Sequence, residues 1–94
     1  MKTVWTKLAL QDLLHVRDYI SADHPVAAVA ILQKIGKAVE NLNSCQNLGR
    51  LGRVKGTREL VVVGTPFLVP YRVTKDRVEI LAVIHSARRW PESL

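Results

Sequence analysis

The chain has little cysteine, few aromatic residues and no pattern of metal-binding side chains. Of its 94 residues one is cysteine and 5% are aromatic. Cys45 therefore has no intramolecular partner, and the fold does not depend on an oxidising compartment. The three histidines, at positions 15, 24 and 85, do not follow the Cys/His spacing of a zinc site. No metal and no cofactor are expected, and Cys45 is expected to be an incidental loop thiol.

Long apolar runs are also missing. No segment approaches the ~18 consecutive apolar residues of a membrane span, and the N-terminus lacks the apolar core of a signal peptide. A glycine-rich dinucleotide or Walker motif is absent as well. With 48% apolar and 23% charged residues, the chain has the composition of one small globular domain spanning residues 1–94. A cytoplasmic protein with no membrane partner is expected.

Hydrophobic spacing predicts a short strand followed by two helices. The strand runs from Lys2 to Trp5, and the first helix runs from Lys7 to about Ala22 with Thr6 as its N-cap. A proline suited to a first helical turn, Pro25, opens the second helix. Its apolar residues recur in three- and four-residue steps: Ala28, Ile31, Leu32, Ile35, Val39 and Leu42.

Three strand candidates follow: Thr57 to Val63, Phe67 to Val73 and Val78 to His85. Their connections are of hairpin length, which predicts an antiparallel meander. Because Pro70 has no backbone N–H, it predicts an edge position or a bulge. The expected fold class is α+β, in the order β-α-α-β-β-β. A helical hairpin is expected on one face of a small, mainly antiparallel twisted sheet.

The predicted strands are apolar on both faces, although two helices can cover only one of them. The runs Leu60 to Val63 and Leu81 to Ile84 show this most clearly. Some apolar sheet surface is therefore expected to remain. Either the C-terminal segment around Trp90 or a partner would cover it.

Positive charge is concentrated in one short segment. Residues 49–58 hold four cations and three glycines, with no acid before Glu59. The formal net charge is +6, of which residues 47–94 contribute +5, from nine Lys and Arg against four Asp and Glu. A field of this sign favours phosphate or an acidic protein segment over a neutral substrate.

Three segments, taken in order, resemble one protein family. They are the basic segment GR-x-GR-x-x-GTREL at residues 49–60, the strand Pro66 to Val73, and Val78 to Pro91 with its ending IHSARRWP. Together they resemble the RelE/ParE superfamily of bacterial toxins from about Lys7 to Pro91. The helical hairpin, the GTREL entry and the ARRWP ending are most similar to the ParE branch.

The resemblance implies the toxin of a type II toxin–antitoxin module, which arrests growth and is neutralised by a cognate antitoxin. ParE relatives poison DNA gyrase without known nuclease chemistry, so gyrase inhibition is expected and no residue is expected to be catalytic. The predicted target-binding residues are Arg50, Arg53, Lys55, Arg58, Arg88, Arg89 and Trp90. The predicted antitoxin-binding residues are Leu60, Val62, Leu81, Val83, Arg88 and Arg89. The antitoxin is expected to bring an acidic amphipathic C-terminal segment and to form a hetero-oligomer with the chain.

The alternative within the superfamily is a metal-independent, ribosome-dependent mRNA endonuclease. His85 would then move the proton, and Arg72 and Arg58 would stabilise charge on the phosphate. Tyr71 is interpreted as a half-buried sheet aromatic, and Glu59 as a paired surface carboxylate. A third alternative is a silent member that only forms a complex with its antitoxin.

Overall fold

A computed structural model describes residues 1–86 of the chain. Two antiparallel helices, α1 (Lys7–Ser21) and α2 (Pro25–Glu40), pack on one face of a sheet, and a short 3₁₀ turn (Asn41–Asn43) follows α2. Thr6 caps α1, because its side chain accepts a hydrogen bond from the Ala9 N–H at 3.2 Å. Among the described residues no helix is long and apolar enough to cross a membrane.

Within residues 1–86 the sheet has six strands in the spatial order β1-β5-β4-β3-β2, and β6 also pairs with β4. The strands are β1 (Lys2–Trp5), β2 (Arg50–Leu51), β3 (Arg58–Val61), β4 (Phe67–Val73), β5 (Arg77–Ile80) and β6 (Ile84–His85). Only the β1–β5 pair is parallel among these. The predicted α+β class and helical hairpin are confirmed. The strand count was too low, because β2 was not predicted and the last predicted strand is divided into β5 and β6.

The core lies between the helices and one face of the sheet. Its helical part is Ala9, Ile35, Val39 and Leu42, all at most 3% exposed. Its sheet part comes from alternate positions of the central strands: Leu60, Val62, Phe67, Val69, Tyr71, Val78 and Ile80. Residues directly opposite each other on paired strands lie on the same face of a sheet. The intervening residues of β3, β4 and β5 therefore lie on the other face, which is called the outer face below.

Pro70 lies where the ladder beside β4 is interrupted. Tyr71 pairs with Ile80 on β5, and Leu68 pairs with Ile84 on β6. Two residues of β4 thus face three residues of the neighbouring segment, 81–83, which is the geometry of a bulge. The Pro70 carbonyl still accepts from the Leu81 N–H at 2.9 Å, on the side where proline has no N–H to offer. Of the two positions that the proline predicted, the bulge is the one found.

The N-cap of α1 bonds to the end of β5, and one residue of α1 bonds to the bulge. The Thr6 hydroxyl donates to the Ile80 carbonyl at 2.7 Å, and the Thr6 N–H donates to the same oxygen at 3.1 Å. The Asp12 carboxylate accepts from the Val83 N–H at 3.0 Å. Buried backbone groups need such partners, so the start of α1 and the bulge hold each other in place.

Exposed apolar side chains are found in the predicted run Leu60 to Val63, but they are not the residues predicted to bind the antitoxin. Leu60, Val62, Leu81 and Val83 are between 1% and 7% exposed, so they do not form an open surface in the isolated chain. Leu60 and Val62 share the helix-facing side of the sheet with Val69, because side chains alternate along a strand. The apolar side chains that β3 and the following turn expose are instead Val61 (48%) and Val63 (86%).

We expect Asp12→Ala to lower the free energy of unfolding by about 1–3 kcal/mol, because it leaves the buried Val83 N–H without its charged acceptor. Chemical denaturation of both proteins measures the change. Asp18→Ala is the matched control, since Asp18 is exposed and pairs with its neighbour Arg17 at 2.9 Å. A pair of that kind contributes little, so the control should unfold like the wild type. Equal stability of the Asp12 variant and the wild type would contradict this account of the bulge.

Candidate functional site

The basic segment folds as a short hairpin, called the basic hairpin below and formed by residues 50–59. Arg50 pairs with Glu59 and Leu51 with Arg58, so β2 and the start of β3 are antiparallel. The turn between them is closed by the Gly52 N–H, which donates to the Thr57 carbonyl at 2.9 Å. These hydrogen bonds show that the cations stand on a defined ribbon at the edge of the sheet.

Three of the four cations of the basic hairpin are exposed. The Arg50 and Arg53 side chains are 60% and 53% exposed, and Lys55 is exposed in the turn. Both arginines stand near the Glu59 carboxylate, at 3.8 and 4.0 Å. These distances are those of ion pairs without a hydrogen bond, so the guanidinium N–H groups are not saturated by Glu59. Arg50 and Arg53 therefore keep N–H groups that Glu59 does not use, and Lys55 is exposed in the turn of the same hairpin.

Glu59 differs from the surface carboxylate that was predicted. The pairing is as expected, but its side chain is only 5% exposed. A buried carboxylate requires nearby positive charge, because leaving water is unfavourable for an isolated charge. Arg50 and Arg53 thus stabilise the buried Glu59 carboxylate, while more than half of each arginine side chain stays exposed to solvent.

Arg58 has a different role from the other three cations. It is half-buried, and its Nη1 donates to the Gly49 carbonyl at 2.8 Å. Its pairing with Tyr71 places it on the helix-facing side of the sheet, whereas Arg50 and Glu59 lie on the outer face. The guanidinium therefore ties β3 to the segment that enters the basic hairpin.

The Tyr71 hydroxyl fixes the same entry point. It donates to the Gln46 carbonyl at 2.7 Å and accepts from the Gly49 N–H at 2.8 Å. Tyr71 is fully buried, in contrast to the half-buried aromatic that was predicted. Burial raises the pKa of Tyr71 above its usual value, although the Gly49 N–H acts in the opposite direction. The phenol is therefore protonated at neutral pH and can donate to Gln46.

Gly49 makes this contact possible. A Cβ atom at this position would lie 2.6 Å from the Tyr71 ring and 2.8 Å from the Glu59 carbonyl oxygen. Any side chain here would push the hairpin away from β4. Sequence reasoning missed the link between Gly49 and Tyr71, because 22 residues separate them and neither position shows a periodic pattern.

A second group of charges lies on the outer face. Arg72 donates to the Glu79 carboxylate at 2.6 and 3.0 Å, and Arg77 donates to it at 3.1 Å. The hydrogen bonds from Arg72, followed by those from Arg77, hold the pKa of Glu79 below its usual value. Arg72 is therefore engaged with a carboxylate partner.

The three candidate nuclease residues are not brought together. His85 lies opposite Phe67 and contacts its ring edge-on, with the ring centroids 5.7 Å apart. Arg72 is five residues further along β4 and on the opposite face, which puts about 17 Å between the two positions along the strand. Arg58 shares the His85 face but lies beside Tyr71, with the core residues Leu60 and Val69 in between.

Some predicted site residues fall beyond the region that the structure covers. Arg88, Arg89 and Trp90 lie outside residues 1–86, so their predicted roles stay predictions. Within the described region, no three His, Cys, Asp or Glu side chains come close enough together to hold a metal ion. His15 and His24 are exposed, and His24 precedes α2 without a side-chain capping bond.

Comparison with known proteins assigns the family. Residues 3–90 match the family model of the ParE toxin of the type II toxin–antitoxin system parDE. The chain belongs to this ParE toxin family. The match covers almost the whole chain and confirms the resemblance that the basic segment and the terminal segment indicated. A toxin of such a system has a cognate antitoxin as its partner.

Individual relatives carry toxin names. The chain is 44% identical over 90 residues to the protein Y4kP of Sinorhizobium fredii, covering 96% of this chain and 93% of that one. It is 38% identical over 87 residues to the toxin RelE2 of Caulobacter vibrioides, covering 93% and 97% of the two chains. A solved chromosomal ParDE toxin–antitoxin system from P. aeruginosa contains a chain that superposes with a TM-score of 0.85 at 31% identity. That superposition covers 90% of this chain and 95% of the other.

We expect Tyr71→Phe to lower the free energy of unfolding by about 1–3 kcal/mol, because the Gly49 N–H and the Gln46 carbonyl both lose a buried partner. Amide hydrogen exchange at Gly49 should become faster, since the hairpin entry then loses its hydrogen bonds to β4. Tyr19→Phe is the matched control, because Tyr19 is 80% exposed. Identical exchange at Gly49 in the Tyr71 variant and the wild type would show that the hydroxyl does not hold the hairpin.

Proposed function

We propose that the chain is a gyrase-inhibiting toxin whose basic hairpin contacts the gyrase–DNA assembly, and that its cognate antitoxin neutralises it. The observation that supports this most is the contrast between two sets of side chains. Arg50, Arg53 and Lys55 are grouped and exposed on one hairpin. His85, Arg72 and Arg58 are dispersed over both faces of the sheet.

This contrast bears on the chemistry because RNA cleavage needs its groups within reach of one phosphate. A general base must lie within hydrogen-bonding distance of the proton that it removes, and the charge-stabilising donors must converge on the same site. Binding to a target has no such requirement. A cluster of exposed cations is sufficient to attract an acidic protein surface or a DNA backbone.

Within this proposal the cations have two kinds of role. Arg50, Arg53 and Lys55 bind the target, while Arg58 and Tyr71 position the hairpin that carries them. Arg88, Arg89 and Trp90 are assigned to target binding on the family resemblance alone. The alternative, an mRNA endonuclease, is kept as a tested outcome since one relative carries the name RelE2.

The direct test is inhibition of supercoiling by purified gyrase, together with a search for trapped gyrase–DNA cleavage complexes. We expect the wild type to inhibit. The triple variant Arg50→Gln, Arg53→Gln and Lys55→Gln should need about tenfold more protein, because three exposed ion pairs of a few tenths to 1 kcal/mol each total about 1.4 kcal/mol. Arg50 and Arg53 also stand beside the buried Glu59 carboxylate, so thermal unfolding first checks that this variant is folded.

The matched control is Lys2→Gln, Lys7→Gln and Lys75→Gln. It lowers the formal net charge by the same amount, from +6 to +3, but changes exposed lysines on and beside β1 and between β4 and β5. These lie toward the end of the sheet opposite β2. Equal losses in the two triple variants would show a response to net charge only. A wild type that leaves gyrase unaffected would overturn the proposal.

A second prediction concerns His85. His85→Gln removes the imidazole, which is the candidate proton carrier, and keeps hydrogen-bonding capacity. Under the proposed function this variant should arrest growth as strongly as the wild type, because gyrase inhibition needs no proton transfer by His85. Growth after induction measures the effect, with circular dichroism and antitoxin binding as checks on folding. Loss of arrest in a folded variant that still binds the antitoxin would favour RNA cleavage.

A further inference from the structure

Strand β3 is paired unequally on its two edges. Toward β4 all four of its residues have partners, and the Val62 N–H continues the ladder by donating to the Phe67 carbonyl at 3.1 Å. Toward β2 only Arg58 and Glu59 have partners. Among residues 1–86, no strand lies beside the continuation of this edge from Val61 to Val63.

The backbone groups on this edge point away from β4. The Val62 carbonyl accepts from the Thr65 N–H at 3.1 Å, so both backbone groups of Val62 are used on the β4 side. In a trans peptide the C=O and the following N–H point in opposite directions. The Val61 carbonyl and the Val63 N–H therefore face the unpaired edge. An unpaired edge of this kind is a template for an added strand.

The surroundings of this edge are apolar and basic. A groove of about 450 Å³ lies between the edge and α2, and its lining includes Leu48 and Ala38 with the lysines Lys34 and Lys37. The lining contains no Asp or Glu. Val61 and Val63 are 48% and 86% exposed, which is high for valines beside a sheet. An occupant that supplies alternating apolar side chains and carboxylates would bury the valines and pair with the lysines.

We propose that an extended acidic segment of the cognate antitoxin adds to the sheet along Val61 and Val63, with its carboxylates against Lys34 and Lys37. This rests on the antitoxin partnership within the proposed function and is independent of whether gyrase is the target. The proposed contacts differ from the predicted ones at Leu60 and Val62, whose side chains are buried. Val61 and Val63 are the residues that follow them in the chain.

The most direct test is the variant Val63→Pro, because it removes the N–H on the open edge and proline is compatible with the turn at this position. Val63 is the second residue of a turn that is closed by Val62 and Thr65, and Gly64 in third place has φ of 82°. This is the pattern of a type II turn, in which proline is common at the second position. The fold should therefore tolerate the substitution, which thermal unfolding checks. Val63→Thr is the matched control, since it keeps the N–H and the β-branched shape.

The measurement is the affinity of each full-length variant for the full-length cognate antitoxin, by titration calorimetry. We expect Val63→Pro to bind about tenfold more weakly, because it loses one strand hydrogen bond and tenfold corresponds to about 1.4 kcal/mol. Val63→Thr should bind within about twofold of the wild type. Lys34→Glu with Lys37→Glu should also weaken binding, whereas Lys75→Glu, away from the groove, should change it less. The Val63 amide of the wild type should be protected from hydrogen exchange only in the complex.

Unchanged affinity of a folded Val63→Pro variant, or an unprotected Val63 amide in the wild-type complex, would overturn the proposal. The amide measurement keeps the test decisive if the proline variant does not fold. A wild type that binds no antitoxin would overturn it as well. Gyrase inhibition by the same free variants separates the two proposals. Edge protection by the antitoxin without gyrase inhibition would support this site and reject the target.

Discussion

The position of the basic hairpin on the sheet depends on one buried hydroxyl group. Tyr71 lies in the middle of the central strand, and its hydroxyl links Gln46 and Gly49, the residues through which the chain enters the basic hairpin. Arg58 adds a second link to the Gly49 carbonyl. Because the tyrosine itself is held by the core, the cations of the hairpin are positioned relative to the sheet. Ordering them before binding lowers the entropy lost on contact with a partner.

The sheet separates the tasks of its charged residues. On the outer face two carboxylates each stand near two arginines, Glu59 near Arg50 and Arg53, and Glu79 near Arg72 and Arg77. The Glu79 group is closed by short hydrogen bonds, whereas the Glu59 group is held at ion-pair distances. The Glu79 group therefore stabilises the β4–β5 pair. In the Glu59 group, the arginines remain able to exchange contacts with Glu59 for contacts with a partner. Target and antitoxin would meet different parts of this architecture, the hairpin and the neighbouring edge of β3.

Much of the fold could be predicted because periodic patterns determine it. The spacing of Ile35, Val39 and Leu42 predicted α2, and Pro70 predicted an interruption of the ladder. The division of the last strand could not be predicted, since residues 81–83 are apolar throughout and a bulge changes no pattern. Nor could the exposed face of β3, because a run of four apolar residues does not show which alternate set faces the helices. The hairpin cations were found from composition, but the inward turn of Arg58 depends on its register with Tyr71, a contact between residues far apart in sequence.

We propose that this ParE-family chain acts on DNA topology and does not cleave RNA. Expression of the chain without its antitoxin in growing bacteria tests it most directly, with chromosome breaks and messenger ends followed in the same culture. The account predicts that arrest is accompanied by DNA breaks and a DNA-damage response while messenger stays intact. Arrest with codon-positioned cuts in ribosome-bound messenger and an unbroken chromosome would contradict it.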